Sequence, residues 1–357
     1  MISIIGAGPA GNYLAYLLAK NNKKVEVFEE HDQIGKPVQC TGIVTSAILK
    51  FVPDSKEFII NKICKVKVFF PNKKFIEFDL KNPNLVLDRE KFDNYLAKKA
   101  KAAGAKYNLG HKFLDYKDYK ISLKHKKIIK RRAFILVGAD GPFSRVAKVS
   151  GLCKDRKFAA AMQARVSLNL KKDTVEFWLF PKGFSWVVPE SSAVARIGTL
   201  SYKNTEFHFK KFMNFRAKNA KIKEYQSGLI PIYDPKQIIN KKNIYLLGDA
   251  AAQVKATTFG GIVQGLTAAE ALSKSIIKKK KYPNLLNNLN KELKYSLLIR
   301  KILDRFTEKD YNDLINILDN KETKKLIEKL DRDYPSKLIF KLLFSQPKLL
   351  KFAKKLI

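Results

Sequence analysis

The sequence predicts an α/β fold: a parallel-sheet, Rossmann-like dinucleotide-binding domain with an inserted antiparallel β-sheet domain and a helical C-terminal region. Three observations carry this. A glycine-rich turn joins an apolar strand to a helix at the start of the chain. Two further strand-like runs, each ending on a Gly/Ala-Asp pair, stand about 100 residues apart. The residues between them alternate with a period of two, whereas helical spacing takes over from about residue 268.

In order, Ile2 to Ile5 is a short β-branched run, Gly6-Ala-Gly8-Pro9-Ala10-Gly11 follows, and Asn12 to Lys20 is helical. Lys24 to Glu29 then forms a second strand ending in an acid. This is a βαβ unit with GxGxxG at its first turn and a carboxylate 18 residues beyond the last glycine. Gly6 allows the tight turn, Gly8 lets backbone approach a pyrophosphate, Gly11 lets helix and strand pack, and Glu29 accepts from ribose hydroxyls. The helix N-terminus holds the phosphate. The runs Phe134 to Asp140-Gly141 and Ile244 to Asp249-Ala250 deliver carboxylates to the same crevice.

Lys65 to Leu80 reads as a hairpin about Pro71-Asn72, and residues 159–200 alternate likewise. Ile299, Ile302, Leu303 and Phe306 keep helical spacing. The expected partition is 1–60, 83–155 and 241–275 for the dinucleotide domain, 61–82 and 156–240 for the sheet domain, and 276–357 for the helices.

Of 357 residues, 46% are apolar and 29% charged, enough for a large core and against wholesale disorder. Lys and Arg number 70 against 33 acids, a net charge of +37. That excess points to an anionic partner (nucleic acid, a membrane surface or a phosphorylated substrate), although a Lys-rich composition alone gives the same figure. Cys40, Cys64 and Cys153 form no CxxC pair, which excludes a disulfide scaffold and a Cys-based zinc site and suits a reducing cytosol. His31, His111, His125 and His208 lack metal-ligand spacing, so no metal is expected. Neither a transmembrane stretch nor a signal peptide is expected.

GAGPAG at 6–11, Leu87-Asp88-Arg89 before a helix, GADG at 138–141 and GDAA at 248–251 together resemble flavoproteins of the para-hydroxybenzoate-hydroxylase fold. Within that group, Gly35-Lys-Pro-Val-Gln-Cys40-Thr41-Gly42 and Pro181-x-x-Phe184-x-Trp186-x-Val188-Pro189 resemble segments of the geranylgeranyl reductase family. Gln253 to Gly261 is similar to the version in archaeal digeranylgeranylglycerophospholipid reductases. The resemblance covers residues 1–275. Departures from the family pattern are Phe184 for tyrosine, Val188 for phenylalanine, Ala252 for glycine, and Phe259 within the glycine run.

The resemblance implies FAD, held by Gly6, Gly8, Pro9, Ala10, Gly11 and Glu29, with Arg89 neutralising phosphate. Asp249 would bond the ribityl or pyrophosphate region at the start of a helix near Gly260, Gly261 and Ile262. The Asp140-Gly141 turn would support the cleft, and Cys40, Thr41 and Gly42 would lie beside the ring. It implies saturation of isoprenoid C=C bonds, flavin bringing the hydride equivalent and protein the orientation, dryness and proton. Trp178, Phe180, Phe184 and Trp186 share parity along the hairpin and so are expected on one face of an apolar slot, or else in an ordinary hairpin core. Cys40 is the catalytic candidate, as proton donor or substrate positioner; otherwise it is a small buried hydrophobe.

The expected partners are an isoprenoid lipid, an anionic membrane surface and an electron donor that is NADPH, ferredoxin or quinol. The protein is expected to be cytoplasmic and peripherally membrane-associated. Residues 348–357 segregate as an amphipathic helix, which either lies on anionic lipid or docks on the protein. Three rivals remain: an aromatic hydroxylase of the same fold, a tRNA-modifying flavoprotein and a prenyl-binding carrier. The first is opposed by the Cys40 loop and hairpin motif, and the second by dispersed basic residues, so no nucleic acid is expected. The third is opposed by the intact glycine turn, Glu29 and Asp249.

Overall fold

The computed structural model describes residues 1–53, 56–152, 155–329 and 332–356, so Cys153 and Ile357 lie outside it. The chain forms two compact units.

The first unit comprises Met1–Val38, Arg89–Lys157 and Pro231–Leu293. Its six-stranded sheet runs, edge to edge, Asn240–Lys241, Ile244–Leu246, Ile135–Gly138, Ile2–Ile5, Val25–Phe28, Lys106–Asn108. All pairings are parallel except the edge pair 240–241 with 244–246. Ile2, Ile4, Val27, Leu136 and Val137 are buried, as strands covered on both faces must be. The helices Pro9–Lys20, Arg89–Ala102 and Ile262–Lys278 belong to this unit, with a small antiparallel sheet of Lys112–Lys117, Lys120–Lys124 and Ile128–Arg132.

The second unit comprises Gln39–Asp88, Phe158–Ile230 and Lys294–Ile357. Residues 39–60, expected with the dinucleotide domain, fall here because the strand Ile43–Val44 pairs with Phe75–Leu87 and the strand Ile59–Phe69 begins at 59. Helical residues 276–293 fall instead in the first unit.

The eight-stranded sheet of the second unit is mixed rather than purely antiparallel. The strand Thr174–Phe180 pairs in parallel with Ile59–Phe69, joining the N-terminal hairpin to the meander of Thr174–Phe180, Gly183–Pro189 and Val194–Ser201. One face is packed by the helix Thr205–Arg216, through Phe209, Phe212 and Met213 against Val166, Val187 and Ile197. On the other, Val68, Ile76 and Leu179 meet Phe306, Tyr311 and Ile315 of the helical tail.

Residues 347–356 form a 3₁₀ helix, not the α-helix expected of the segment. Its apolar arc is not presented as one surface: Phe352 is buried against Phe306 and Leu349 packs on the same cluster, leaving Leu350 exposed. No described helix is long and apolar enough to cross a membrane.

Candidate active site

The glycine turn is built by close approach. Gly6 has φ +101°, and a Cβ there would stand 2.3 Å from the Ala139 carbonyl oxygen. One at Gly11 would meet the Gly6 carbonyl at the same distance. A Cβ on Gly8 would meet nothing within 4 Å. Two of these glycines are therefore demanded by the chain itself, and the third leaves space at the helix start. The helix Pro9–Lys20 has no side-chain cap at Gly8, and Pro9 has no N–H to leave unpaired.

The Glu29 carboxylate accepts from Ala7 N–H at 2.7 Å, and its other oxygen contacts His31 through backbone N–H (3.1 Å) and Nδ1 (2.6 Å). Glu29 thus stands on the glycine turn, as expected. His31 carries no sequence signal for this contact, since no spacing rule singles it out.

A second uncapped helix start, Gly261 before Ile262–Lys278, belongs to the same unit. A Cβ on Gly261 would lie 3.1 Å from Asp249 Oδ1, so Asp249 sits at that start, where the sequence put it. Burial pushes its carboxyl above the usual range, against the pull of Arg89 and Arg156. Ala10 packs within 3.2 Å of the Cβ positions of both Gly248 and Gly265, letting the first helix approach this one closely. Two helix N-termini and two arginines thus give this unit a field that favours an anion.

Arg89, expected to neutralise phosphate, is held by an acid on its own helix. Its Nε and Nη2 donate to Asp93 at 3.2 and 2.9 Å. Burial raises the Asp93 carboxyl while Arg89 lowers it. The Asp140 side chain likewise turns to its own helix, accepting from Ser144 Oγ (2.6 Å) and Val146 N–H (3.0 Å), and only the backbone around it supports the glycine turn.

Sequence reasoning missed Lys255, which is buried, with Nζ 3.9 Å from a Cβ built on Gly260. It lies in the Gln253 to Gly261 stretch, where nothing in the residue pattern marks it out. Phe259 is buried with φ +54°, a left-handed conformation that favours glycine.

In the second unit, Cys40 Sγ accepts from Gly42 N–H at 3.3 Å, and Gly42 has φ +74°. Thr41 Oγ1 donates to Gln163 Oε1 (2.8 Å), and Gln163 donates on to Gln226 (2.5 Å). Arg196 Nη1 donates to the carbonyls of Cys40 and Thr41 at 2.8 and 2.9 Å. Its Nε is held by Glu190 at 2.6 Å, and Glu190 also takes Arg165 at 2.6 Å. Neither Arg196 nor Glu190 carried a sequence signal, because only sheet pairing brings them beneath the loop.

The four hairpin aromatics do not share a face. The two-residue loop Pro181-Lys182 pairs even positions with odd ones: Trp178 faces Ser185, Phe177 faces Trp186 and Leu179 faces Phe184. Trp178 stacks on Phe69 (3.7 Å) and meets Phe212 and Phe215 on the side of the helix Thr205–Arg216, and Phe180 stacks on His208. Phe184 and Trp186 lie on the opposite face with Phe177. That face also carries Gln163, Gly198 and Arg196, which bind or underlie the Cys40 loop. Gly198 is required there, since a Cβ would stand 2.2 Å from the Trp186 ring. The buried Trp186 Nε1 has no hydrogen-bond partner among the described residues.

The glycine turn, its carboxylate and the two uncapped helix starts define a dinucleotide-binding protein of Rossmann-like type. The family of NAD(P)-binding Rossmann-like domains matches residues 4–41.

The similarity then becomes particular. The chain is 26% identical to digeranylgeranylglycerophospholipid reductase 2 of Methanopyrus kandleri, over 100% of this chain and 99% of that one. It is 29% identical to digeranylgeranylglycerophospholipid reductase 3 of Methanosphaera stadtmanae, over 91% and 92%. A solved geranylgeranyl bacteriochlorophyll reductase-like structure from Thermoplasma acidophilum shares the fold, with TM-score 0.85, 22% identity and coverage of 100% and 98%. A flavin-dependent brominase, Bmp2, shares it at TM-score 0.69 and 18% identity, over 94% of this chain and 92% of that one. The resemblance read from the motifs is borne out, and it extends beyond residue 275 into the helical tail.

Proposed function

We propose that the protein is an FAD-dependent reductase that saturates C=C bonds in the geranylgeranyl chains of glycerophospholipids. The observation that carries this is the near-full-length similarity to archaeal reductases named for that substrate, which takes in the Cys40 loop and the hairpin as well as the dinucleotide turn.

The residues of the first unit suit FAD. Gly8 leaves room for a pyrophosphate, the N–H groups of Ala10 and Gly11 stand in the first turn of an uncapped helix, and Glu29 suits the adenosine ribose. Asp249 and the Gly260-Gly261-Ile262 start suit the far end of the pyrophosphate and the ribityl chain. Bound FAD would supply a hydride equivalent to one alkene carbon.

The protein must do the rest. An unactivated trisubstituted alkene accepts hydride poorly, so a proton has to reach the other carbon while water stays out. Phe177, Phe184 and Trp186 give a rigid, dry wall for an isoprenoid chain, with Trp178 and Phe180 assigned to packing behind it. Cys40, fixed through its carbonyl by Arg196, either delivers the proton or positions the chain. Phe184 carries no hydroxyl to share that task. No second dinucleotide fingerprint is present for NADPH, so ferredoxin or quinol serves equally well as the electron source in this reading.

Anaerobic incubation of a geranylgeranyl glycerolipid with the protein and dithionite-reduced FAD, read by mass spectrometry, tests the reading. Gains in steps of about 2 Da, hydride plus proton, are expected. No gain with FAD bound and reduced would sink the lipid assignment.

A further inference from the structure

The C-terminal helix Pro335–Ser345 presents an unusual exposed stripe. Pro335 and Ser336 are buried, whereas Lys337, Phe340, Lys341 and Phe344 are exposed. At 100° per residue these four occupy an arc of roughly 100°, so they form one face. Phe344 is 91% exposed, the highest value among the exposed large hydrophobics, and Phe340 is 55% exposed with its ring edge on Tyr295. Lys348 and Leu350, at the start of the 3₁₀ helix, are exposed as well.

From residue 335 to 356 there are six lysines and no acid. Lys351 and Lys355 are drawn back to Asp313 and Asp310, while Lys337 and Lys341 share their helix face with the exposed Phe340 and Phe344.

Two exposed aromatic rings interleaved with lysines on one helix face suit a surface that is apolar below and anionic above. A phenyl ring reaching the acyl boundary leaves water, and lysine stems extend along the apolar layer to carry their ammonium groups to phosphate level. A buried protein interface would desolvate the lysines, and a phosphate backbone alone would not cover Phe344.

We propose that the face Lys337–Phe340–Lys341–Phe344 docks the protein on an anionic lipid bilayer. It replaces residues 348–357 as the docking element, since Phe352 and Leu349 face the chain's own core. The choice of a bilayer rests on the isoprenoid-lipid reading, but the surface is tested without substrate.

The experiment is flotation of the full-length protein with vesicles of phosphatidylglycerol and phosphatidylcholine, and with phosphatidylcholine alone. Binding is expected only with the anionic vesicles and should fall as salt rises. Phe344→Ser should weaken it roughly tenfold or more, from the loss of one buried ring. Lys337→Gln and Lys341→Gln should each weaken it about fivefold. Unchanged binding in all three variants, or equal binding to both vesicle types, would overturn the proposal. So would a wild-type dimer that Phe344→Ser turns into a monomer, because the face would then belong to a second copy. Reduction of detergent-dispersed substrate, measured in parallel, should be the same in Phe344→Ser and wild type. If neither reduces it while the vesicle result stands, the reductase reading fails and the docking face survives.

Discussion

Arg196 grips the backbone of Cys40: one guanidinium nitrogen donates to the carbonyls of both Cys40 and Thr41, 156 and 155 residues away in sequence. The loop carrying the catalytic candidate is thus fastened to the sheet through main-chain atoms, which leaves the thiol itself to other partners. Glu190 fixes Arg196 in turn, and both side chains are over nine-tenths buried.

Removing Arg196 leaves Glu190 buried with Arg165 as its remaining ion-pair partner. Arg196→Ala should therefore cost about 3–5 kcal/mol in denaturant unfolding. Arg196→Lys, which keeps charge but not the fork, should fold while Cys40 reacts with a thiol reagent faster than in wild type. An unchanged alkylation rate would show that Arg196 does not hold the loop.

The three glycines of the first turn should separate fold from cofactor. Gly6→Ala strains a positive φ and clashes with a carbonyl, so it should lower the melting temperature with or without FAD. Gly8→Val enters space the chain does not use, so it should keep the apo melting temperature and abolish flavin retention. The check is thermal unfolding beside the flavin absorbance of purified protein.

The two faces of the hairpin should behave oppositely. Trp178→Ala empties a site walled by Phe69, Phe212 and Phe215 and should cost about 3–5 kcal/mol of stability. Phe184→Leu, a milder change on the opposite face, should raise KM for an isoprenoid substrate more than it lowers stability. Equal effects on both properties in the two variants would contradict the assignment of faces.

At Phe259 the backbone, not the ring, sets the comparison. Both Phe259→Gly and Phe259→Ala lose the side chain, but only glycine adopts φ +54° without strain. The glycine variant should be the more stable of the two by about 1 kcal/mol in urea unfolding.

Asp310 supplies a pH dependence. Burial alone would raise its carboxyl, but Lys355 and the Thr307 capping box outweigh it and hold it down at about 2. A depressed folded value contributes stability above the unfolded carboxylate range, lost as pH falls through about 2. Asp310→Asn should thus be less stable than wild type at pH 7, by about 1 kcal/mol from the weakened cap, and the gap should close towards pH 2.

The dinucleotide unit was legible because its signals are local: glycines at fixed offsets, a β-branched run before them and an acid after. Glu29 and Asp249 stand where that spacing put them. The second unit was less legible because its decisive facts are non-local. Parity places Trp178 and Phe184 together along one extended chain, yet a two-residue loop sends them to opposite faces. The grip of Arg196 on Cys40 depends on sheet pairing, and Lys255 gains its meaning only from burial. The amphipathic pattern of residues 348–357 was real, but nothing in its periodicity told lipid from protein as the covering surface.

The parallel pairing of Lys65 with Thr174 has a consequence for how the molecule is made. The N-terminal hairpin cannot complete its sheet until the meander strand a hundred residues later has been synthesised, and the helical tail that packs Val68 and Ile76 comes last of all. Each unit is stitched from three separated stretches, and the first has all of its residues by Leu293 while the second still needs those from Lys294 onward. The chain is therefore committed to late, slow assembly by long loop closures, with apolar strands waiting for their partners, and no contiguous fragment of it reproduces either unit.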